Sequence, residues 1–296
     1  MSPSLLPWPY RVLTFGAAQG AELKNEKKKK VKKSKERADS GVNGVVEPGK
    51  KKKGKRRHDQ VSDVAPPLTS PKRPRVTISP DEAGAYLKTH NVNVHLPPDT
   101  PALIPIISFD ALPIPDLLCG AFSAFKEPTP IQACAWPVAL SRKDVIGIAE
   151  TGSGKTLAFG IPALARLLSS SSGKENGPRA LVLAPTRELA LQTYDTLSAL
   201  RAVHCAAIFG GVDKTQQARA IKGAQVVVGT PGRVLDLIRD DALALGAVEY
   251  LVLDEADRML DKGFENDIRA IIGYAKQGAA RQTLMCACGC AVRLGY

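Results

Sequence analysis

From residue 101 onward, apolar residues gather in short continuous runs, and each run ends in small or polar residues before a helical stretch begins. Five runs have strand character: Val145–Ile148, Ala180–Ala184, His204–Phe209, Gln225–Val228 and Tyr250–Leu253. A short, largely apolar run suits a strand buried on both faces, whereas a strand with one wet face would alternate. Such strands, separated by helical stretches, predict an α/β fold built as a doubly wound parallel sheet. Pro80 followed by Asp81 and Glu82 predicts a short helix reaching about Lys88, because proline suits the first helical position and acids suit the first turn. Ser169–Pro178 reads as a surface loop between two units. In sheets of this kind ligands collect at the carboxyl ends of the strands, so chemistry is expected directly after each run.

Charge divides the chain in two. Of 41 Lys and Arg and 29 Asp and Glu, residues 1–75 hold 20 basic and only 7 acidic side chains. The remainder is close to neutral, so the net +12 belongs to the tail. K-K-K-K-V-K-K-S-K at 27–35 and K-K-K-K-G-K-R-R at 50–57 repel themselves and offer almost nothing to bury. Residues 1–80 are therefore expected to be a disordered Lys-rich tail and linker, and 81–296 a domain. The lysine runs suit a nuclear or nucleolar address that also binds RNA phosphate, and otherwise a merely solvated tail. No run nears the roughly 18 apolar residues a membrane span needs, which argues against a membrane partner. Pro3, Pro7 and Pro9 break the mildly apolar start, against a secretory signal. Six cysteines without regular spacing fit reduced thiols. Nothing in the sequence bears on oligomeric state.

Two motifs carry the chemistry. After Val145–Ile148 comes A-E-T-G-S-G-K-T at 149–156, then an apolar helical stretch. Gly152 and Gly154 let the backbone curl around Thr151 and Ser153 so that amides point at a phosphate, and the helix start adds its dipole. Lys155 supplies a point charge for β- and γ-phosphates, and the Thr156 hydroxyl suits Mg²⁺. The generic loop has Gly where Ala149 stands. The second motif, D-E-A-D at 254–257, follows Tyr250–Leu253. Asp254 at a strand end neighbouring the loop can hold Mg²⁺, and Glu255 can orient and deprotonate an attacking water.

With these two motifs in this order the chain resembles the DEAD-box RNA helicase family from about Asp81 to Met285, a faint further likeness being to nucleolar, ribosome-assembly members of the plant or yeast type. The resemblance extends to F-K-E-P-T-P-I-Q at 125–132, preceded by Phe109. It implies a RecA-like domain using ATP and Mg²⁺, with Gln132 on the adenine edge and Phe109 stacked on the ring. A carboxamide can pair bidentately with adenine, and an aromatic face suits a base. P-T-R-E-L-A at 185–190, Gly210-Gly211 and T-P-G-R at 230–233 match the family's single-strand RNA contacts. Arg187, Gly211, Thr230 and Arg233 would then grip phosphate and 2′-hydroxyl without reading sequence. Working members close two such domains around ATP and bend one RNA strand out of a duplex, and pre-ribosomal proteins are conceivable partners. A kinase-like P-loop enzyme is disfavoured by the acidic motif and Gln132.

The match stops after R-Q-T-L-M at 281–285, where the chain reads C-A-C-G-C-A-V-R-L-G-Y. Ala287, Cys288 and Gly289 stand where the family has Ser-Ala-Thr, so both hydroxyls are replaced. The expectation is a domain lacking its last strand and helix and any second RecA-like domain, through an altered reading frame or an alternative transcript. Weak ATP binding and little unwinding would follow, or else a non-enzymatic RNA-binding or decoy role. Cys286, Cys288 and Cys290 lack the paired spacing of a zinc site.

Overall fold

In the computed structural model, the residues described are 11–15, 78–170 and 177–288. The Lys-rich segments, most of the linker and Gly289–Tyr296 lie outside them, as does most of the Ser169–Pro178 loop. The elements are β1 (Arg11–Phe15), α1 (Pro80–Thr89), β2 (Val92–His95), α2 (Asp116–Cys119), α3 (Pro130–Leu140), β3 (Val145–Ile148), α4 (Lys155–Ser169), β4 (Ala180–Leu183), α5 (Arg187–Ala199), β5 (Cys205–Ile208), α6 (Lys214–Ile221), β6 (Val226–Gly229), α7 (Pro231–Arg239), β7 (Tyr250–Leu253), α8 (Ala256–Asp261), α9 (Glu265–Tyr274) and β8 (Gln282–Ala287). None of the helices is long and apolar enough to cross a membrane.

All five expected strands are present, with ends shifted by at most one residue. They join one sheet of order β2-β1-β3-β8-β7-β4-β6-β5, parallel throughout except where β1 meets β2. The expected helix starts as read: Ser79 caps it through a reciprocal pair with Glu82, with Pro80 at the first helical position.

Helices cover both faces of the sheet. Val182, Val228, Tyr250 and Val252 pack with Phe159 and Leu164 of α4 in one cluster. Leu181, Leu183, Leu251 and Leu253 pack on the other face with α7, α8 and α9. Side chains alternate across a strand, so four consecutive buried residues in β4, β6 and β7 are the mark of a sheet wet on neither face. Tyr250, fully buried, donates its hydroxyl to Phe159 O at 3.0 Å, which satisfies its one polar atom.

One strand was not foreseen, and one expectation needs correction. Gln282–Ala287 is β8, a central strand between β3 and β7 that was not among the five runs read as strands. Its start is fixed by Gln282, whose amide donates to Ala139 O and Lys143 O, and by Thr283 N donating to Asp144. A ladder needs backbone groups and a small apolar filling, which Cys286 and Ala287 supply as well as other residues would. The tail is also not wholly outside the fold, because Arg11–Phe15 is β1, parallel to β3, with Leu13 fully buried. That five-residue run lay among prolines and charges that hid it.

Candidate active site

The loop between β3 and α4 begins at Ala149, whose amide donates to Ala287 O of β8. Gly152 and Gly154 have φ of +83° and +92°, a conformation that side chains other than glycine rarely adopt. A Cβ on Gly154 would also stand 2.6 Å from Gln132 Nε2, so both backbone and space demand glycine. Lys155 opens α4 and is 7% exposed. Its ammonium is folded back on the loop, 2.5 Å from Ala149 O and 2.9 Å from Glu150 O. Ser153 Oγ donates to Glu150 O, Thr151 is exposed, and Thr156 is half-buried in the first helical turn. The loop is thus pre-curled, with its cation held at its mouth.

Gln132 is buried and spent at both ends. Its oxygen accepts from Thr129 N at 3.1 Å, and its amide donates to Gly154 O at 3.1 Å. The carboxamide therefore braces the phosphate loop, leaving one N–H for a base edge. Phe109 stacks on Phe122 at 4.3 Å between ring centroids and leans on Trp136. One face is covered, so a base could use only the other. Trp136 donates to Leu157 O, tying this aromatic group to α4.

The acidic motif follows β7. Asp254 is 7% exposed; its amide donates to Leu183 O and its carboxylate accepts from Thr193 Oγ1 at 3.4 Å. Burial first, then the charge of Glu255, push its pKa up from 3.8 to about 6, against the opposing pull of Lys155 and Thr193. The charge of Lys155 is thus felt at Asp254, as a shared triphosphate site requires. Glu255 is 3% exposed and left-handed at φ +50°, an unusual conformation for a side chain of its size. The two motifs do not stand on neighbouring strands as expected, because β8 runs between β3 and β7. The residue that follows β8 bridges them: Cys288 Sγ is 3.4 Å from Thr151 Oγ1 and 3.6 Å from Glu255 Oε1, while Cys288 N donates to Asp257 at 2.9 Å.

The expected RNA contacts line the carboxyl ends of β4, β6 and β5. Arg187 is exposed at the start of α5, its guanidinium 4.8 Å above the Phe209 ring. Gly211 is exposed with φ +82°. Thr230 caps α7 without spending its side chain on the helix. Arg233 is turned inward, donating to Val212 O at 2.9 Å and to Gln217 Oε1 at 2.8 Å, while buried Gln217 donates to Phe209 O. Its observed bonds shape the 209–212 loop. Sequence reasoning missed Gln217, Thr193 and Arg258, which belong to no motif; only their helical position facing a strand end could have marked them. Among the described residues no group of three or more His, Cys, Asp or Glu forms a metal cluster.

A family model described as DEAD/DEAH box helicase matches residues 129–290. The ATP-dependent RNA helicase dbp3 of Schizosaccharomyces pombe is 50% identical over 205 residues, which is 67% of this chain and 35% of that protein. DBP3 of Candida albicans is 50% identical over 212 residues, 71% of this chain and 37% of its own. The chain therefore spans little more than a third of these two relatives. A crystal structure of a DEAD box protein from the hyperthermophile Methanococcus jannaschii superposes with a TM-score of 0.58 at 35% identity, covering 64% of this chain and 52% of that one. With the family's phosphate loop and acidic motif brought together at one end of a RecA-like sheet, the chain belongs to the DEAD/DEAH box helicases.

Proposed function

We propose that this chain carries the ATP-binding core of an ATP-dependent RNA helicase, hydrolysing ATP in response to RNA and opening duplexes locally. The observation that carries the reading is the meeting of the two motifs at Cys288, 3.4 Å from Thr151 of the phosphate loop and 3.6 Å from Glu255, with the loop's glycines already left-handed. Amides of 152–155 would receive the phosphates, and Lys155 would exchange two carbonyls for phosphate oxygens, a charge-assisted gain. Glu255 would orient a water for in-line attack on the γ-phosphorus and accept its proton as the bond to ADP breaks. The donor set fits Mg²⁺: a buried carboxylate at Asp254 and the Thr156 hydroxyl are hard oxygens, few enough to leave places for phosphate and water. When bound, the ion would neutralise charge on the phosphates. Phe109 and the free N–H of Gln132 would select adenine.

Arg187, Gly211 and Thr230 present a backbone-gripping surface for RNA without base readout, and Arg233 would support it through Val212. The lysine runs suit a nuclear or nucleolar address, and pre-ribosomal particles are the partners we propose from that charge. Thermal melting with a nucleotide panel tests the core of this reading. Mg-ATP should raise the melting temperature, GTP should not, and Lys155→Ala should abolish the shift. Indifference to every adenine nucleotide would refute it.

A further inference from the structure

The catalytic carboxylate is not free in this structure. Glu255 Oε2 is 2.5 Å from Arg258 Nη1, and Oε1 takes the Cys288 thiol at 3.6 Å. The two partners of the ion pair differ in environment: the Glu255 side chain is 5% exposed and that of Arg258 is 49% exposed. Glu255 cannot escape by a backbone turn, because its left-handed position, two residues after β7, caps α8 and its carbonyl accepts from Met259 N. Arg258 sits one helical turn along and can leave into solvent. A water poised for attack needs a lone pair on Glu255, and the Arg258 guanidinium, a charge-assisted donor through Nη1, already occupies one oxygen.

We propose that Arg258 is a positioning residue that parks Glu255 and holds down basal ATP turnover, its release uncovering the base. This rests on Glu255 acting as the water-orienting group. The same helix touches the RNA side: Lys262, which follows α8, donates to Pro185 O at the head of the Thr186-Arg187 segment. About two turns, from Glu255 to Lys262, thus join the base to the surface that a strand of phosphates would occupy.

The test is RNA-free ATP turnover by the 296-residue chain and its variants Arg258→Ala, Arg258→Gln, Arg258→Lys, Glu255→Gln and Arg258→Ala/Glu255→Gln. A half-exposed ion pair three residues apart sets the scale. Arg258→Ala and Arg258→Gln should raise kcat by about two- to fivefold with KM for ATP moving less, the upper figure corresponding to ~1 kcal/mol. Arg258→Lys, which keeps the charge without the fork, should fall between them and the parent. The double variant should be as inactive as Glu255→Gln. Turnover at or below the parent's in Arg258→Gln, with unchanged melting temperature and unchanged stabilisation by Mg-ATP, overturns the parking role and leaves the helicase reading intact. Full turnover by Glu255→Gln would instead overturn the assignment of the base itself. A merely structural arginine would lower the melting temperature and leave kcat per folded molecule unchanged, which also overturns the proposal.

Discussion

Replacing Asp254 by Asn should stabilise the protein while destroying its nucleotide site, and the gain should depend on pH. The carboxyl is buried, and its pKa rises from 3.8 to about 6 because ionisation inside the sheet end is disfavoured and Glu255 adds a like charge. A carboxyl whose folded pKa is raised contributes stability below its unfolded pKa and loses it as pH climbs through the folded value, here between about 4 and 6. A shift of about two units corresponds to about 3 kcal/mol at pH 8, at 1.36 kcal/mol per unit. At pH 5 roughly half of that cost has already appeared, because the unfolded chain is ionised there while the folded one is not.

Asn keeps the shape and a partner for Thr193, so the variant isolates the charge. Its advantage over the parent should widen by about 1.4 kcal/mol between pH 5 and pH 8, or roughly 3–6 °C for a domain of this size. The assay is thermal melting of both proteins without nucleotide at the two pH values. Titrating groups that do not interact with Asp254 are common to both, so their contributions cancel, and coupling to Glu255 and Lys155 is part of the effect measured. An equal gap at pH 5 and pH 8, or a variant less stable than the parent at pH 8, would refute the claim that Asp254 is held at a cost to the fold. Addition of Mg-ATP should then stabilise the parent and leave the variant unmoved, as expected where a strained site trades stability for binding.

Leu13→Ala should destabilise the fold by about 2–5 kcal/mol in urea titration, since Leu13 is fully buried in the main core; no change would mean that β1 does not pair in solution. Gly154→Ala should cost more than about 1 kcal/mol and weaken ATP binding at least tenfold by calorimetry, because its φ is +92° and the new methyl meets Gln132. Arg233→Ala removes two hydrogen bonds, one to Val212 O and one to Gln217, together worth about 1–3 kcal/mol. Its RNA affinity should fall by about tenfold in fluorescence anisotropy while the melting shift with Mg-ATP stays as in the parent; loss of both would place Arg233 in the general fold instead.

What could be read from the sequence, and what could not, follows from how each part is specified. The strands between β3 and β7 were legible because a run such as Leu181-Val182-Leu183 needs only hydrophobicity to be a buried strand. The phosphate loop was legible because its glycines and Lys155 are demanded by backbone conformation and charge at fixed spacing. Strand β1 was not, since its partner β3 lies more than a hundred residues downstream and five residues carry no period. Gln132 was found for its place in a motif, but its brace on Gly154 O could not be, because capping and loop contact depend on where two distant elements meet.

The end of the match shows the two kinds of information coming apart. The family motifs legible in the sequence end at Met285, yet the family model extends to residue 290 and β8 runs to Ala287. The ladder continues past that point: Met285, Cys286 and Ala287 pair with Ile146, Gly147 and Ile148, because hydrogen bonds run through the backbone and small apolar side chains fill the layer. Just past the strand's end, the Cys288 thiol stands between Thr151 and Glu255, while its amide donates to Asp257. A sheet tolerates substitutions that preserve bulk and polarity, whereas a site depends on which atom ends up within 3 or 4 Å of another. The pairing of β8 is therefore set by backbone and bulk, whereas the connection from its end to the acidic motif depends on the particular atoms of Cys288.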